Sequence, residues 1–257
     1  MRNIRRRMQI ATLGFWWWPG ISRITNRLHR RATARSERWL RERGFDGYRA
    51  RLAPDALWQD ADDLRRLYDD VRRYRPQNVL ELGSGQSTVM LARALAENGS
   101  GALHSVDDSA QWLDHARALL TPEQAARVRF HVCTVEVTDA YGTRAARYLG
   151  YPALVYDYVL IDGPDLDGMG LDASCDLLDL WFRGQLSAGA HARIDGRIGT
   201  VLHTRATLRR SVRIHYPIDS DSPTVTFPGL RPAPPRIDPM TTTHVRTRRR
   251  ARLSVTS

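Results

Sequence analysis

Val79-Leu80-Glu81-Leu82-Gly83-Ser84-Gly85-Gln86-Ser87-Thr88 decides the fold of this chain. An apolar run ends in an acidic residue and then in a Gly-x-Gly turn. Val89-Met90-Leu91-Ala92-Arg93-Ala94-Leu95 follows at once with helical periodicity. Strand, glycine turn and helix in that order form a nucleotide-binding corner. Glycine is needed there because the backbone must approach a ligand and adopt φ values closed to other residues.

The alternation continues on both sides of this corner. Upstream, Leu57, Trp58, Leu64, Leu67, Tyr68 and Val71 recur at helical spacing, which predicts a helix over 55–74 that Pro76 ends. The first strand is expected at 77–82 and its helix at 87–97. Further strands are expected at 103–107, 128–132, 156–162 and 190–195. Helices are expected at 109–120, 139–148, 171–187 and 198–208. Residues 212–216 and 224–227 suit a closing hairpin. Strands alternating with helices imply an α/β fold: a Rossmann-like, doubly wound, mostly parallel seven-stranded sheet with an antiparallel C-terminal hairpin.

The chain has 257 residues and is 42% hydrophobic, enough for a real core. No apolar run reaches the roughly 18 residues of a plain membrane-spanning helix. Cys133 and Cys175 lie in apolar segments without metal-ligand spacing and read as buried, reduced thiols. The formal charge of +11 is unevenly spread. Residues 1–51 carry +11, residues 231–257 carry +6, and the stretch between them carries −6. This divides the chain into a basic Trp- and Arg-rich extension (1–52), a central domain (53–230) and a basic tail (231–257). The composition of the tail, rich in Pro, Thr and Arg, is that of a flexible segment.

The first 20 residues combine Arg2 and Arg5-Arg6-Arg7 with a short apolar run and Trp16-Trp17-Trp18-Pro19-Gly20. A basic start and a short apolar run suit a signal peptide, but three Trp, Pro-Gly and a following Arg-rich helix argue against cleavage. Three readings of the Trp cluster stay open: packing on the domain or a sister subunit, an anionic membrane surface engaged through residues 1–43, and stacking on nucleobases. The expected location is cytoplasmic, with peripheral attachment to the inner face of the membrane as the accompanying option. Oligomeric state is not readable.

In an open α/β sheet the ligand lies beyond the carboxyl ends of the strands. The expected strands end there in Glu81 and Gly83-Ser84-Gly85, in Asp107-Asp108, near Thr134-Val135-Glu136, in Asp162, and in Asp195-Gly196-Arg197. One such carboxylate means little, since strand-end Asp commonly caps loops. Their convergence is the informative feature. Thr88 stands where a dinucleotide fingerprint needs its third glycine, and a chain without lysine has no Walker lysine.

Glu-x-Gly-x-Gly followed by an acid at the next strand's end resembles the class I S-adenosylmethionine-dependent methyltransferases, over about residues 55–227. The resemblance implies that Glu81, Gly83 and Gly85, with Ser84 and Ser87 beside them, cradle the methionine part of S-adenosylmethionine. It implies that Asp107, with Asp108 next to it, accepts the ribose hydroxyls, and that Thr134 and Val135 flank the adenine. Asp162 in Leu160-Ile161-Asp162-Gly163-Pro164 falls where that family faces the reactive methyl. The Asn/Asp-Pro-Pro-Tyr/Phe motif of amino-directed nucleic-acid methyltransferases is missing, and Asp-Gly-Pro looks more like O-methyltransferases of small molecules or glycans. A carboxylate at 162 can take a hydroxyl proton while the oxygen attacks the methyl.

Asp195 is the second candidate catalytic residue. Metal-dependent catechol-type relatives place an Asp after the fourth strand and an Asp-Asn pair after the fifth, and here Gly196 replaces the Asn. Two carboxylates can hold Mg²⁺ with waters, but the third ligand is absent, so no metal site is assigned. His104, His131, His191 and His203 read as structural, with His191 the one worth testing. The expected function is O-methylation of a small molecule, glycan or lipid-linked sugar. An RNA-directed methyltransferase, or a non-catalytic module that binds S-adenosylmethionine, are the alternatives, and nucleic acid is the less favoured partner.

Overall fold

A computed structural model of the chain describes residues 19–45, 47, 51, 52, 59–217, 220 and 222–229. The Trp16–Trp18 cluster, residues 55–58 of the first expected helix and the tail beyond 230 lie outside the described residues. In chain order the elements are helices α1 (Pro19–Glu42) and α2 (Ala61–Tyr74), strand β1 (Asn78–Leu82), α3 (Gln86–Asn98), β2 (Ala102–Asp107), α4 (Ala110–Leu119) and α5 (Pro122–Ala125). Then follow β3 (Val128–Val132), β4 (Thr134–Ala140), β5 (Thr143–Leu149), β6 (Tyr156–Ile161), α6 (Asp176–Arg183), β7 (Leu186–Ile194), α7 (Ile198–Leu208), β8 (Arg213–His215) and β9 (Thr224–Thr226).

Seven strands form one sheet in the order β3-β2-β1-β6-β7-β9-β8. β3, β2, β1, β6 and β7 are parallel to their neighbours, and β9 runs antiparallel to both β7 and β8. The expected doubly wound sheet with its C-terminal hairpin is what the chain forms. The order reverses beside β1, so the crevice for a ligand opens at the carboxyl ends of β1 and β6.

Period-two alternation along the central strands feeds two cores. Leu80, Leu82, Val159 and Ile161 pack on one face with Leu177 and Trp181 of α6 and Val201 of α7. Val79, Tyr158 and Leu160 pack on the other with Leu64 and Val71 of α2 and Met90 and Leu91 of α3. Each such side chain, fully buried, contributes about 1.5–3 kcal/mol. Leu40 of α1 and Phe45 after it join the second core, so the end of the N-terminal helix packs on the central domain. Cys133 and Cys175 are buried and free, as expected.

Two elements differ from the sequence expectation. Residues 139–148, expected as a short helix, belong to a separate antiparallel hairpin in which Thr134 pairs with Leu149 and Val135 with Tyr148. Tyr141 and Gly142 both have positive φ (52° and 74°), the two-residue turn whose twist suits a hairpin. β-branched Thr134, Val135, Val137 and Thr138 favour the extended state and outweigh the helix propensity of Ala145-Ala146. The helix expected over 171–187 starts only at Asp176, because the chain before it is tied to this hairpin: Ala146 N–H donates to Ala173 O (3.1 Å) and Cys175 N–H to Ala146 O (2.9 Å).

Candidate active site

The β1–α3 corner is held from behind by Glu81. This carboxylate is fully buried and accepts the hydroxyls of Ser87 (2.6 Å), Thr88 (2.7 Å) and Ser105 (2.6 Å). Burial pushes Glu81 up to about 7, against the pull of those three donors. Thr88 Oγ1 also accepts Gly85 N–H at 3.0 Å, so one residue links the glycine turn to Glu81. Ser87, expected beside the ligand, is buried at 1% exposure and turned toward Glu81.

The glycines have distinct jobs. Gly83 has φ +95°, and a Cβ there would lie 2.6 Å from Gly163 N, so the turns after β1 and β6 touch backbone to backbone. A Cβ at Gly85 would meet no protein atom within 4 Å. Gly85 therefore borders open space at the sheet's switch point, where a ligand can approach the chain.

Asp107 ends β2 beside this space. Its Oδ2 accepts Ser84 N–H (2.9 Å) and Ser84 Oγ–H (3.2 Å), and its Oδ1 accepts Ser109 N–H (2.9 Å). Desolvation raises its pKa, while those donors oppose the shift. Asp108, next to it, is exposed. Thr134 is exposed and Val135 half-buried; both stand in the hairpin rather than at the end of a sheet strand, close to Asp107 through Cys133, whose N–H donates to Asp107 O at 2.9 Å.

Asp162 and Asp195 come together at the ends of β6 and β7, where Asp195 N–H donates to Ile161 O at 2.9 Å. Gln59 Nε2 reaches both carboxylates, 2.8 Å from Asp162 Oδ2 and 3.4 Å from Asp195 Oδ2. Ser222 Oγ donates to Asp195 Oδ1 at 2.6 Å. Burial first, and then the Asp195 charge, raise Asp162 well above the ordinary carboxylate range, with Arg197 pulling the other way. Arg197 donates to the carbonyl oxygens of Asp162 and of Pro164, the latter at 2.6 Å, which fixes the turn after β6.

The surrounding elements lock this pair. Arg193, 5% exposed, is bonded through Nε and Nη2 to Asp70 Oδ2 (3.1 and 2.6 Å) and through Nη1 to Ser222 O (3.0 Å). Ser220 Oγ donates to Asp63 Oδ1 at 2.6 Å. Helix α2 thus holds both the Gln59 side and the Ser222 side of the carboxylate pair.

Gln59, Ser222 and Tyr148 are site residues that sequence reading missed. Tyr148, buried in β5, brings its hydroxyl to where a Cβ on Gly163 would stand. Burial, then the Asp107 and Asp108 charges, raise its pKa. The histidines lie elsewhere: His104 Nδ1 pairs with His131 Nε2 at 3.1 Å, and His203 is buried beside Tyr141 O. His191 stacks on Tyr74 with ring centroids 3.7 Å apart, in the body of β7 rather than at its carboxyl end.

Among the described residues no three His, Cys, Asp or Glu side chains cluster as a metal-ligand set. The Asp162–Asp195 pair fits a divalent cation poorly, since the Gln59 amide and the Ser222 hydroxyl aim hydrogens at the oxygens a cation would need.

Residues 80–182, from β1 into α6, match a family model described as a methyltransferase domain. A curated relative, the carbamoyl phosphate synthase large chain of Rubrobacter xylanophilus, is 29% identical over 161 residues; the match takes in 58% of this chain and spans 15% of that protein's length. Among solved structures, the chain is similar to the O-methyltransferase TomG of Streptomyces achromogenes in complex with SAM (20% identity, 77% of this chain, 90% of that one, TM-score 0.45). It is also similar to the SAH-bound Podospora anserina methyltransferase PaMTH1 (12% identity, 83% and 97%, TM-score 0.49).

Proposed function

We propose that this chain, whose residues 80–182 match a methyltransferase-domain model, is a class I S-adenosylmethionine-dependent methyltransferase that methylates a hydroxyl of a small molecule, glycan or lipid-linked sugar. The observation that carries this reading is the carboxylate pair Asp162–Asp195 placed beside the glycine turn, across the Gly83–Gly163 contact.

The residues present fit S-adenosylmethionine. Gly85 leaves backbone open to a ligand, and Asp107 offers a carboxylate to a ribose diol at the edge of the same space. Gly83, Ser84 and Gly85 would line the methionine part and Asp107 with Asp108 the ribose. Thr134 and Val135 stand near the expected adenine position. Glu81 and Ser87 support the turn from within the core. When bound, S-adenosylmethionine supplies a methyl group on an already activated sulfonium.

The protein's task is then mainly placement and one proton. Asp162 would take the proton of the acceptor hydroxyl, while the bound cofactor would supply the methyl group that the oxygen receives and leave as the neutral thioether. A base works best when its pKa lies near the working pH, and the environment of Asp162 moves it in that direction. Asp195, held by Ser222, sustains that shift by its charge. Gln59 keeps the two carboxylates in one orientation, and Arg197 holds the backbone that carries Asp162.

The test is transfer of labelled methyl from S-adenosylmethionine into fractionated cell extract by wild-type protein and by Asp162→Asn. Label in a hydroxyl-bearing lipid, glycan or small-molecule fraction, lost in the variant, supports the reading. Label in RNA alone, or binding of S-adenosylmethionine without transfer into any fraction, contradicts it.

A further inference from the structure

Helix α1 carries a one-sided row of arginines. Arg27, Arg30, Arg31, Arg35, Arg38 and Arg41 are all exposed. At about 100° per residue they fall within an arc of about 140°, and they extend about 21 Å along the helix. The opposite side holds buried Ala32, Ser36 and Leu40, with Ser36 Oγ donating to Asp62 of α2 at 3.1 Å. None of the six takes part in an ion pair among the described residues. Glu42, also exposed, falls within the same arc, so the face carries a net excess of positive charge that an anionic partner would offset.

The same helix lies next to the carboxylate pair. His29 Nε2 is 3.7 Å from Asp60 Oδ2, and Asp60 follows Gln59, the residue bonded to Asp162 and Asp195. His29 lies on the side of α1 opposite the arginines, so this contact turns the buried face of the helix toward the site and leaves the arginine face directed away from it.

We propose that this face docks the chain on an anionic lipid surface. Two features favour lipid over nucleic acid. Leu28, 43% exposed, stands at the margin of the arginine face, an apolar side chain suited to the headgroup boundary. Trp39, which could have stacked on a base, is instead stacked inward on Phe45 (5.4 Å) and edged against Tyr68 (5.0 Å).

The test compares the full chain with Arg27→Gln/Arg31→Gln/Arg35→Gln/Arg38→Gln, all exposed positions. Co-sedimentation is measured with phosphatidylcholine vesicles, with vesicles holding one third phosphatidylserine, and with a 20-nucleotide RNA. Wild type is expected to bind the anionic vesicles only, with affinity falling as salt rises. The variant is expected to lose at least tenfold, since basic residues near an anionic surface each contribute severalfold. Equal binding by variant and wild type, no binding of wild type to anionic vesicles, or tighter binding of the RNA through the same arginines would overturn the docking proposal. Thermal melts of both proteins check the fold, and an unchanged melt in a variant that has left the vesicles assigns the loss to docking.

Discussion

The side-chain amide of Gln59 donates to Asp162 across 2.8 Å and lies 3.4 Å from Asp195. One neutral donor thus stands between two carboxylates at the ends of adjacent parallel strands. Gln59→Ala removes that donor and leaves the pair to repel directly, raising Asp162 further. The expected result is a lower rate below neutrality, with the rising limb of the pH–rate profile moved to higher pH. A profile that keeps its position while the whole rate falls would show that Gln59 does not act through Asp162.

Gly83 and Gly85 are two residues apart and respond differently to a methyl group. Gly83→Ala places Cβ 2.6 Å from Gly163 N in a residue with φ +95°, and is expected to cost roughly 2–4 kcal/mol of stability. Gly85→Ala meets no protein atom within 4 Å at an extended φ of 168°. Its melting temperature is expected to match wild type within a degree or two, while cofactor affinity falls at least tenfold. Thermal melts with and without S-adenosylmethionine read both; a Gly85→Ala protein that binds normally would show the open space is not the ligand's.

Glu81 gives a stability signature in pH. Its folded-state pKa is raised from 4.5 to about 7, so the folded protein holds this proton more tightly than the unfolded chain. Its contribution is fully present below pH 4.5 and is lost as pH rises through about 7. Glu81→Gln should therefore flatten the wild-type decline in stability across that window. Glu81→Ala, which orphans three hydroxyls, is expected to destabilise at any pH by about 1–3 kcal/mol. Urea melts at several pH values compare the slopes, and parallel wild-type and Gln curves would refute the assignment.

Arg193 and Asp70 form a buried pair that fastens α2 to β7. Arg193→Leu leaves Asp70 with the Tyr158 hydroxyl at 2.9 Å and frees Ser222 O. The expected loss is about 3–5 kcal/mol, the usual result of removing one partner of a buried ion pair. The double variant Arg193→Leu/Asp70→Leu should recover part of it, and a single variant as stable as wild type would mean the pair is solvated.

Much of the site was legible because its residues sit at strand ends, and strand ends follow from period-two alternation. Asp107, Asp162 and Asp195 were placed in this way, and so was the Gly83–Gly85 turn. Glu81 and Ser87 lie at the β1–α3 corner, but the sequence does not say which way they face, and they turn inward toward each other. Gln59 was not legible, because a lone Gln before a helix carries no pattern and its partners are 103 and 136 residues away. The hairpin that carries Tyr148 had a readable signal, the alternation of Thr134-Val135-Glu136-Val137-Thr138 followed by Tyr141-Gly142. Ala145-Ala146 obscured it by suggesting a helix.

Asp107 is proposed to anchor S-adenosylmethionine at the β1–β2 edge. Calorimetric titration of wild type and of Asp107→Ala, each checked for an intact fold by its thermal melt, tests it most directly. One site per chain is expected in wild type, with at least a tenfold loss of affinity in the folded variant. Absence of binding in wild type, or undiminished binding in Asp107→Ala, would contradict it.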